Sequence, residues 1–102
     1  MNWGDLWWVE TEHAGRRPAV ILTRPRTLPR LPVVLVAFAT TTIRGLDTEV
    51  ALDESDGLPA PCVLNLDTPE LVPKAMLVDQ IGKLPADRMG DVCGALAAAV
   101  NC

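Results

Sequence analysis

Apolar residues recur along this chain in short runs. Those at 6–10, 18–23, 32–40, 49–52, 62–66 and 75–84 each hold β-branched or apolar residues between turn formers, which is the pattern of short strands. Nine prolines and seven glycines punctuate them. Pro25, Pro29 and Pro32 separate the second and third runs, Asp56-Gly57-Leu58-Pro59 follows the fourth, and Asp67-Thr68-Pro69 interrupts the acidic second half. Only the end changes period. From Pro85-Ala86-Asp87-Arg88 onward, Met89, Val92, Cys93, Leu96 and Val100 recur at spacings of three, four and seven, an apolar stripe suited to packing a helix on a sheet. The pattern predicts a mainly β fold: a small, strongly bent antiparallel sheet or barrel closed by a C-terminal helix, which removes edges that would otherwise aggregate. No linker or repeat divides residues 1–102, so one domain is expected.

Composition narrows the class without changing this picture. A chain that is 49% hydrophobic and 22% charged is globular rather than disordered. No run approaches the roughly 18 apolar residues of a membrane span, and Met1-Asn2-Trp3-Gly4-Asp5 lacks the basic start of a signal peptide. A cytoplasmic protein with no membrane partner is therefore expected. Cys62, Cys93 and Cys102 are odd in number, far apart and without a C-x-x-C, so they read as reduced thiols rather than a disulfide framework or zinc site. The terminal Cys102 is expected to oxidise between chains on storage. No metal or cofactor is implied.

Charge does change the picture. The net charge is −4, which by itself argues against a nucleic-acid partner. Yet residues 14–46 carry six bases (Arg16, Arg17, Arg24, Arg26, Arg30 and Arg44) and no acid, while the remainder carries three bases and thirteen acids. A polyanion responds to the nearby field rather than to the total, so a basic face on an acidic body is compatible with phosphate binding. Arginines that merely keep hydrophobic strands soluble would give the same count.

Four blocks, in order, carry a resemblance. They are Gly4-Asp5-Leu6-Trp7-Trp8-Val9, Gly15-Arg16-Arg17-Pro18-Ala19-Val20-Ile21-Leu22, Val36-Ala37-Phe38-Ala39-Thr40-Thr41-Thr42 and Asp79-Gln80-Ile81-Gly82-Lys83-Leu84, followed by the helix. Together they resemble the MazF/PemK family of toxin endoribonucleases across nearly the whole chain. The resemblance implies an SH3-like small β-barrel of the CcdB/PemK type and a homodimer. It also implies metal-independent, sequence-selective cleavage of single-stranded RNA and neutralisation by a cognate antitoxin protein. A non-enzymatic SH3-like protein-binding module, or a protein-targeting toxin on a similar barrel, is the rival reading, because a fold does not by itself specify an activity.

In the family the arginine before the proline is catalytic, and the matching residue is Arg17. Chemistry supplies an independent reason. When the substrate's own 2′-hydroxyl attacks, the protein must stabilise a phosphorane bearing extra negative charge, and a guanidinium offers a planar fork that stays protonated. The alternative for Arg17 is a bond to loop carbonyls at the entry to a strand. The second family position, a hydroxyl at the end of the third strand, falls on Thr40, with Thr41 and Thr42 adjacent as RNA-binding candidates. A hydroxyl there can donate to a phosphate oxygen, although three threonines also suit an exposed strand end.

The first loop departs from the family pattern, in which many members carry a longer, G-S-E-Q-like segment. Here only Thr11-Glu12-His13-Ala14 precedes Gly15. Glu12 and His13 are accordingly the candidates for proton transfer, although a lone loop histidine is ordinarily just solvated. Arg16 is a candidate for backbone phosphate contact. Arg24, Arg26 and Arg30, in the proline-rich stretch 24–32, are expected on a mobile basic loop beside the site. Trp3, Trp7 and Trp8 could stack on bases or pack in the core; strand alternation puts Trp7 and Trp8 on opposite faces.

Overall fold

Side-chain alternation along the strands gives the sheet two buried faces, and the curl of the sheet follows from filling both. A computed structural model of the protein describes residues 1–100; Cys102 lies outside them. Strands β1 (Asp5–Thr11) and β2 (Gly15–Ile21) form a hairpin in register from Leu6–Val20 to Thr11–Gly15. Its turn is closed by Gly15, at φ 66°, where a side chain would be strained. The Thr11 hydroxyl bridges the turn, donating to the Gly15 carbonyl at 2.6 Å and accepting from the Ala14 amide at 3.1 Å.

Strand β3 (Val33–Thr40) is the centre of the sheet. One edge pairs with β2, from Ile21–Val36 to Ala19–Phe38. The other edge is divided between β5 (Cys62–Asn65), which pairs at Ala39 and Thr40, and β6 (Glu70–Pro73), which pairs at Val33 to Val36. Between the pairs Ala39–Leu64 and Val36–Glu70, β3 advances three residues while its neighbour advances six. The surplus falls at the Asp67-Thr68-Pro69 break. That bend is pinned by the buried Thr48, whose hydroxyl donates to Asp67 at 2.6 Å and whose carbonyl accepts from Leu66.

Strand β4 (Glu49–Leu52) pairs with β5, and β7 (Leu77–Lys83) pairs with β1 through two register shifts, giving the order β4-β5-β3-β2-β1-β7 with β6 on β3. The sheet curls into a barrel-like shape without closing: among the described residues no ladder joins β4 to β7. The last element, helix α1 (Ala86–Val100), lies against β4. There Arg88 donates to the Ala51 carbonyl and faces Asp56 at 3.7 Å, covering that edge.

Leu6, Val20, Ala37 and Ala39 face α1, β4 and β5 in one apolar cluster. Val9, Ala19, Ile21, Val34, Val36 and Phe38 fill a second on the opposite side, closed by Leu28 and Leu77. Because β2 and β3 are covered on both faces, their sequences read as almost unbroken apolar runs.

Four expectations are corrected. Strand β2 starts at Gly15 rather than 18, so Arg16 and Arg17 lie inside the strand and point to opposite faces. Residues 70–73 form a strand that the flanking prolines concealed, and Lys74–Met76 is a 3-10 turn ahead of β7. The proline-rich stretch is not a mobile loop. Leu28–Arg30 forms a 3-10 turn, Leu28 is buried, Arg24 donates to the Thr27 hydroxyl at 2.9 Å, and the Lys74 ammonium donates to the Leu28 carbonyl. On α1, Cys93 and Val100 are exposed, and the buried seam is Met89, Val92 and Ala95 with Leu96 beside it.

The helix and the buried thiol each lend themselves to a measurement. Gly90 and Gly94 sit within α1 with open space where a methyl group would point, and glycine in a helix interior costs roughly 0.5–1 kcal/mol relative to alanine. Gly94→Ala is therefore expected to raise the urea midpoint by an amount worth about 0.5–1 kcal/mol at unchanged m-value; a lower midpoint would show that this face of the helix is occupied. Cys62 is buried, and burial together with the Asp56, Asp53 and Glu54 carboxylates pushes its thiol up. Thiolate is the reactive form. Iodoacetamide near neutral pH should thus label Cys93 and spare Cys62 until denaturant is added, as read by peptide mapping.

Candidate functional site

The β1–β2 hairpin on one side, and β6 with the following 3-10 turn on the other, enclose a groove of about 380 Å3. Arg17, from β2, is half-buried inside it. Its guanidinium carbon lies 4.6 Å from the centroid of the Phe38 ring, and one of its nitrogens donates to the Ala39 carbonyl at 3.4 Å. Phe38 and Arg17 stand on the same face because β2 and β3 pair at Ala19–Phe38, and Arg17 is two residues along from Ala19. A cation at this distance over the ring is favoured by the ring's quadrupole. The carbonyl it bonds belongs to strand β3 rather than to a loop at a strand entry, and among the described residues this is the one hydrogen bond seen from a group that carries five donors.

No carboxylate among the described residues comes within ion-pair distance of Arg17. The contrast with its neighbour is sharp. Arg16, on the opposite face, is bracketed by Glu10 at 3.4 Å and Asp79 at 2.9 Å. Its charge is spent on two exposed carboxylates, whereas Arg17 has no direct ion pair among the described residues, although Glu10, Glu12 and Glu70 line the same groove.

Glu12 and His13 form the tip of the hairpin and line the mouth of the same groove, with side chains 90% and 95% exposed and 3.8 Å between His13 Nε2 and the Glu12 carboxylate. An ion pair so exposed contributes little to stability. Glu10, Glu70, Val72 and Met76 complete the lining. Glu12, His13 and Arg17 thus line one groove.

Thr40 is close to this cluster but not in it. With Thr41 it lines a second groove, of about 220 Å3, beside Trp8, Pro18, Leu58 and Cys62. The Thr40 hydroxyl accepts the Thr42 amide at 3.1 Å, closing the end of β3. The Ala39 carbonyl, bonded to Arg17, adjoins Thr40 and joins the two grooves. Arg24, Arg26 and Arg30 lie elsewhere: they follow β2 at the end remote from Arg17, and none lines either groove. Of the tryptophans, Trp7 packs against the second cluster with its indole N–H buried and unpartnered, Trp8 faces the Thr40 groove, and Trp3 packs on the first cluster.

Phe38 and Glu70 escaped the sequence reading. Phe38 is the only phenylalanine and stands two residues before Thr40, a spacing that puts both on one strand face. Its pairing with Arg17 joins residues far apart along the chain, and no local periodicity reports such a contact. No helix among the described residues is long and apolar enough to cross a membrane.

Comparison with known proteins agrees with this geometry. Residues 2–100 match the profile of a family described as the PemK-like, MazF-like toxin of type II toxin-antitoxin systems. The chain is 48% identical over 100 residues, 97% of its length, to the probable endoribonuclease MazF5 of Mycobacterium tuberculosis, covering 92% of that protein. Its fold superposes on the Mycobacterium tuberculosis toxin MazF-mt6 with a TM-score of 0.87 at 36% identity, covering 95% of this chain and 96% of the other. It superposes equally well, at 0.87 and 27% identity, on a mycobacterial endoribonuclease in complex with its cognate antitoxin, over 99% of this chain and 95% of that one. A family match that runs from the first strand through the helix, with a relative 48% identical over nearly the whole chain, assigns the chain to the MazF/PemK toxin family.

Proposed function

We propose that this chain is the toxin of a type II toxin-antitoxin system, a cytoplasmic endoribonuclease whose single domain cuts single-stranded RNA through attack of the substrate's own 2′-hydroxyl. The observation that carries the reading is the half-buried Arg17 guanidinium, placed over the Phe38 ring, without a direct ion pair among the described residues, and lining the groove. A cation kept in place without a carboxylate partner is ready for an anionic ligand. As the 2′-oxygen attacks phosphorus and the 5′-oxygen leaves, negative charge grows on the nonbridging oxygens. The guanidinium fork, partly withdrawn from water and held by the ring and one carbonyl, stabilises that charge with little reorganisation. The products are a 2′,3′-cyclic phosphate and a 5′-hydroxyl.

Thr40, across the Ala39 carbonyl, orients the phosphate through its hydroxyl while Thr41 and Thr42 extend the contact along the strand end. Glu12 and His13, at the groove mouth with Glu10 and Glu70 nearby, are the groups able to take the 2′-proton and return one to the leaving oxygen. Arg16, being ion-paired, makes at most a peripheral backbone contact. Arg24, Arg26 and Arg30 are exposed at the far end of β2 and extend the basic surface for RNA or for an acidic antitoxin segment. The active species is a homodimer, kept silent by its cognate antitoxin.

The test is incubation of the purified protein with transcribed RNA in EDTA, followed by sequencing of 5′-hydroxyl ends. Discrete, recurring ends are expected. Arg17→Ala should melt like the parent yet cut on the order of 10²–10³-fold more slowly, and Arg17→Lys should recover only part of the loss because it supplies charge without the fork. RNA left whole by the parent, or an active Arg17→Ala protein, would sink the proposal and favour the protein-binding module. The pH profile separates the proton acceptors. If His13 accepts, the rate on saturating RNA should fall on acidification and His13→Ala should flatten that limb. A limb abolished only in Glu12→Gln would move the role to Glu12.

A further inference from the structure

The connection 41–48 leaves the end of β3 directly after Thr40, and every residue in it except Thr48 is exposed. It belongs to no strand, so its shape must come from elsewhere. It comes from one side chain. The carboxylate of Glu49, the first residue of β4, accepts the consecutive amides of Arg44 (3.1 and 3.3 Å), Gly45 (2.8 Å) and Leu46 (3.1 Å). The Glu49 amide in turn donates to the Leu46 carbonyl at 3.1 Å, and Gly45, at φ 73°, permits the curl. Three successive N–H groups converging on an anion form a nest, and here the chain fills its own nest.

The nest fixes what the loop shows to solvent. Arg44 gives its amide to Glu49, but its guanidinium meets no carboxylate within ion-pair distance among the described residues. Beside it, Ile43 and Leu46 are 57% and 47% exposed. An unpaired guanidinium between apolar side chains, a short way beyond Thr40, has the chemistry that tracks a single strand: a fork for phosphate and apolar surface for unstacked bases. The charge of Glu49 would oppose a polyanion if it were free. Absorbed by three amides, it orders the loop at little electrostatic cost.

We infer that Arg44 contacts the backbone of the RNA flanking the cut, and that Glu49 is the residue that positions Arg44 by bracing the loop from within. The inference rests on the endoribonuclease reading and extends it to two residues outside the cluster at Arg17. Because the loop is on the surface, water can replace the Glu49 carboxylate at the amides, so its removal should free the loop without unfolding the protein.

The experiment uses a transcribed single-stranded RNA that the parent cuts, with Glu49→Gln, Glu49→Ala, Glu49→Asp and Arg44→Ala. Melting temperatures should stay within a few degrees of the parent. Arg44→Ala should raise KM several-fold with kcat nearly unchanged and reduce the salt dependence of KM by about one phosphate contact. Glu49→Ala should raise KM in the same way and speed tryptic cleavage after Arg44. Glu49→Gln should fall between, because an amide oxygen can still accept, and combining Glu49→Ala with Arg44→Ala should add little. An unchanged KM in Arg44→Ala or in Glu49→Ala overturns the inference, and so does faster trypsin cleavage of Glu49→Ala without a KM change, since the loop would then be loosened to no effect on RNA. Either variant altering self-association or antitoxin binding while KM holds would assign the loop to a protein contact instead. Failure of the parent itself to cut RNA is a different result, and it overturns the function proposed for Arg17.

Discussion

The sharing of β3 between two neighbours on one edge governs the rest of this molecule. A strand can hydrogen-bond only once along each stretch of edge, so when β6 takes Val33 to Val36 and β5 takes Ala39 and Thr40, the chain between them must leave the ladder. It does so at Asp67-Thr68-Pro69, where proline has no N–H to leave unpaired. The departure bends the sheet, the bend separates the two apolar clusters, and the residues beside it, Phe38 to Thr40, are those that hold Arg17 on one side and border the Trp8 groove on the other. The groove at Arg17 is thus a by-product of where one strand changes partner.

Arg17 itself is a local concession. Removing a guanidinium partly from water without an acid beside it is unfavourable, and a ring face and one carbonyl offset only part of that cost. A sequence optimised for stability alone would place a neutral residue over Phe38 or an acid beside the guanidinium. Arg16 takes the second course, with two carboxylates, and is correspondingly unavailable. The adjacent arginines therefore divide the roles: one is satisfied on the outer face, and the other is held in readiness.

Much of this was legible in the sequence, and what was not has physical causes. Apolar runs between turn formers located six of the seven strands, since burial on both faces leaves an apolar signature even without strict alternation. They missed β6, because Glu70-Leu71-Val72-Pro73 is a four-residue strand that follows Pro69 and ends in Pro73, and its Leu71 faces water. Composition misjudged the stretch 24–32: three prolines and three arginines suggest mobility, while the single buried Leu28 anchors it in the core. On α1 the apolar count favoured Cys93 and Val100 over Ala95, because hydropathy ranks side chains by size. At the candidate site, Arg17 was picked out by the family blocks and Glu12 and His13 by their place in the short first loop, and the hairpin sets all three around one groove. Phe38, Glu70 and the bracing by Glu49 depend on tertiary pairing or on a backbone curl that no residue type announces.

The hairpin tip carries a last consequence, one of evolvability. Glu12, His13 and Ala14 belong to neither apolar cluster, and the turn is closed below them by Thr11 and Gly15. Lengthening such a loop costs only about 0.6 kcal/mol per doubling in closure entropy. The fold can therefore accept short or long tips over the same groove, leaving Arg17 and Phe38 undisturbed. The scaffold thus holds the inner part of the groove, at Arg17 and Phe38, while its rim at Glu12 and His13 can change length, and descendants of this chain could reshape the mouth of the groove by insertion at a single turn.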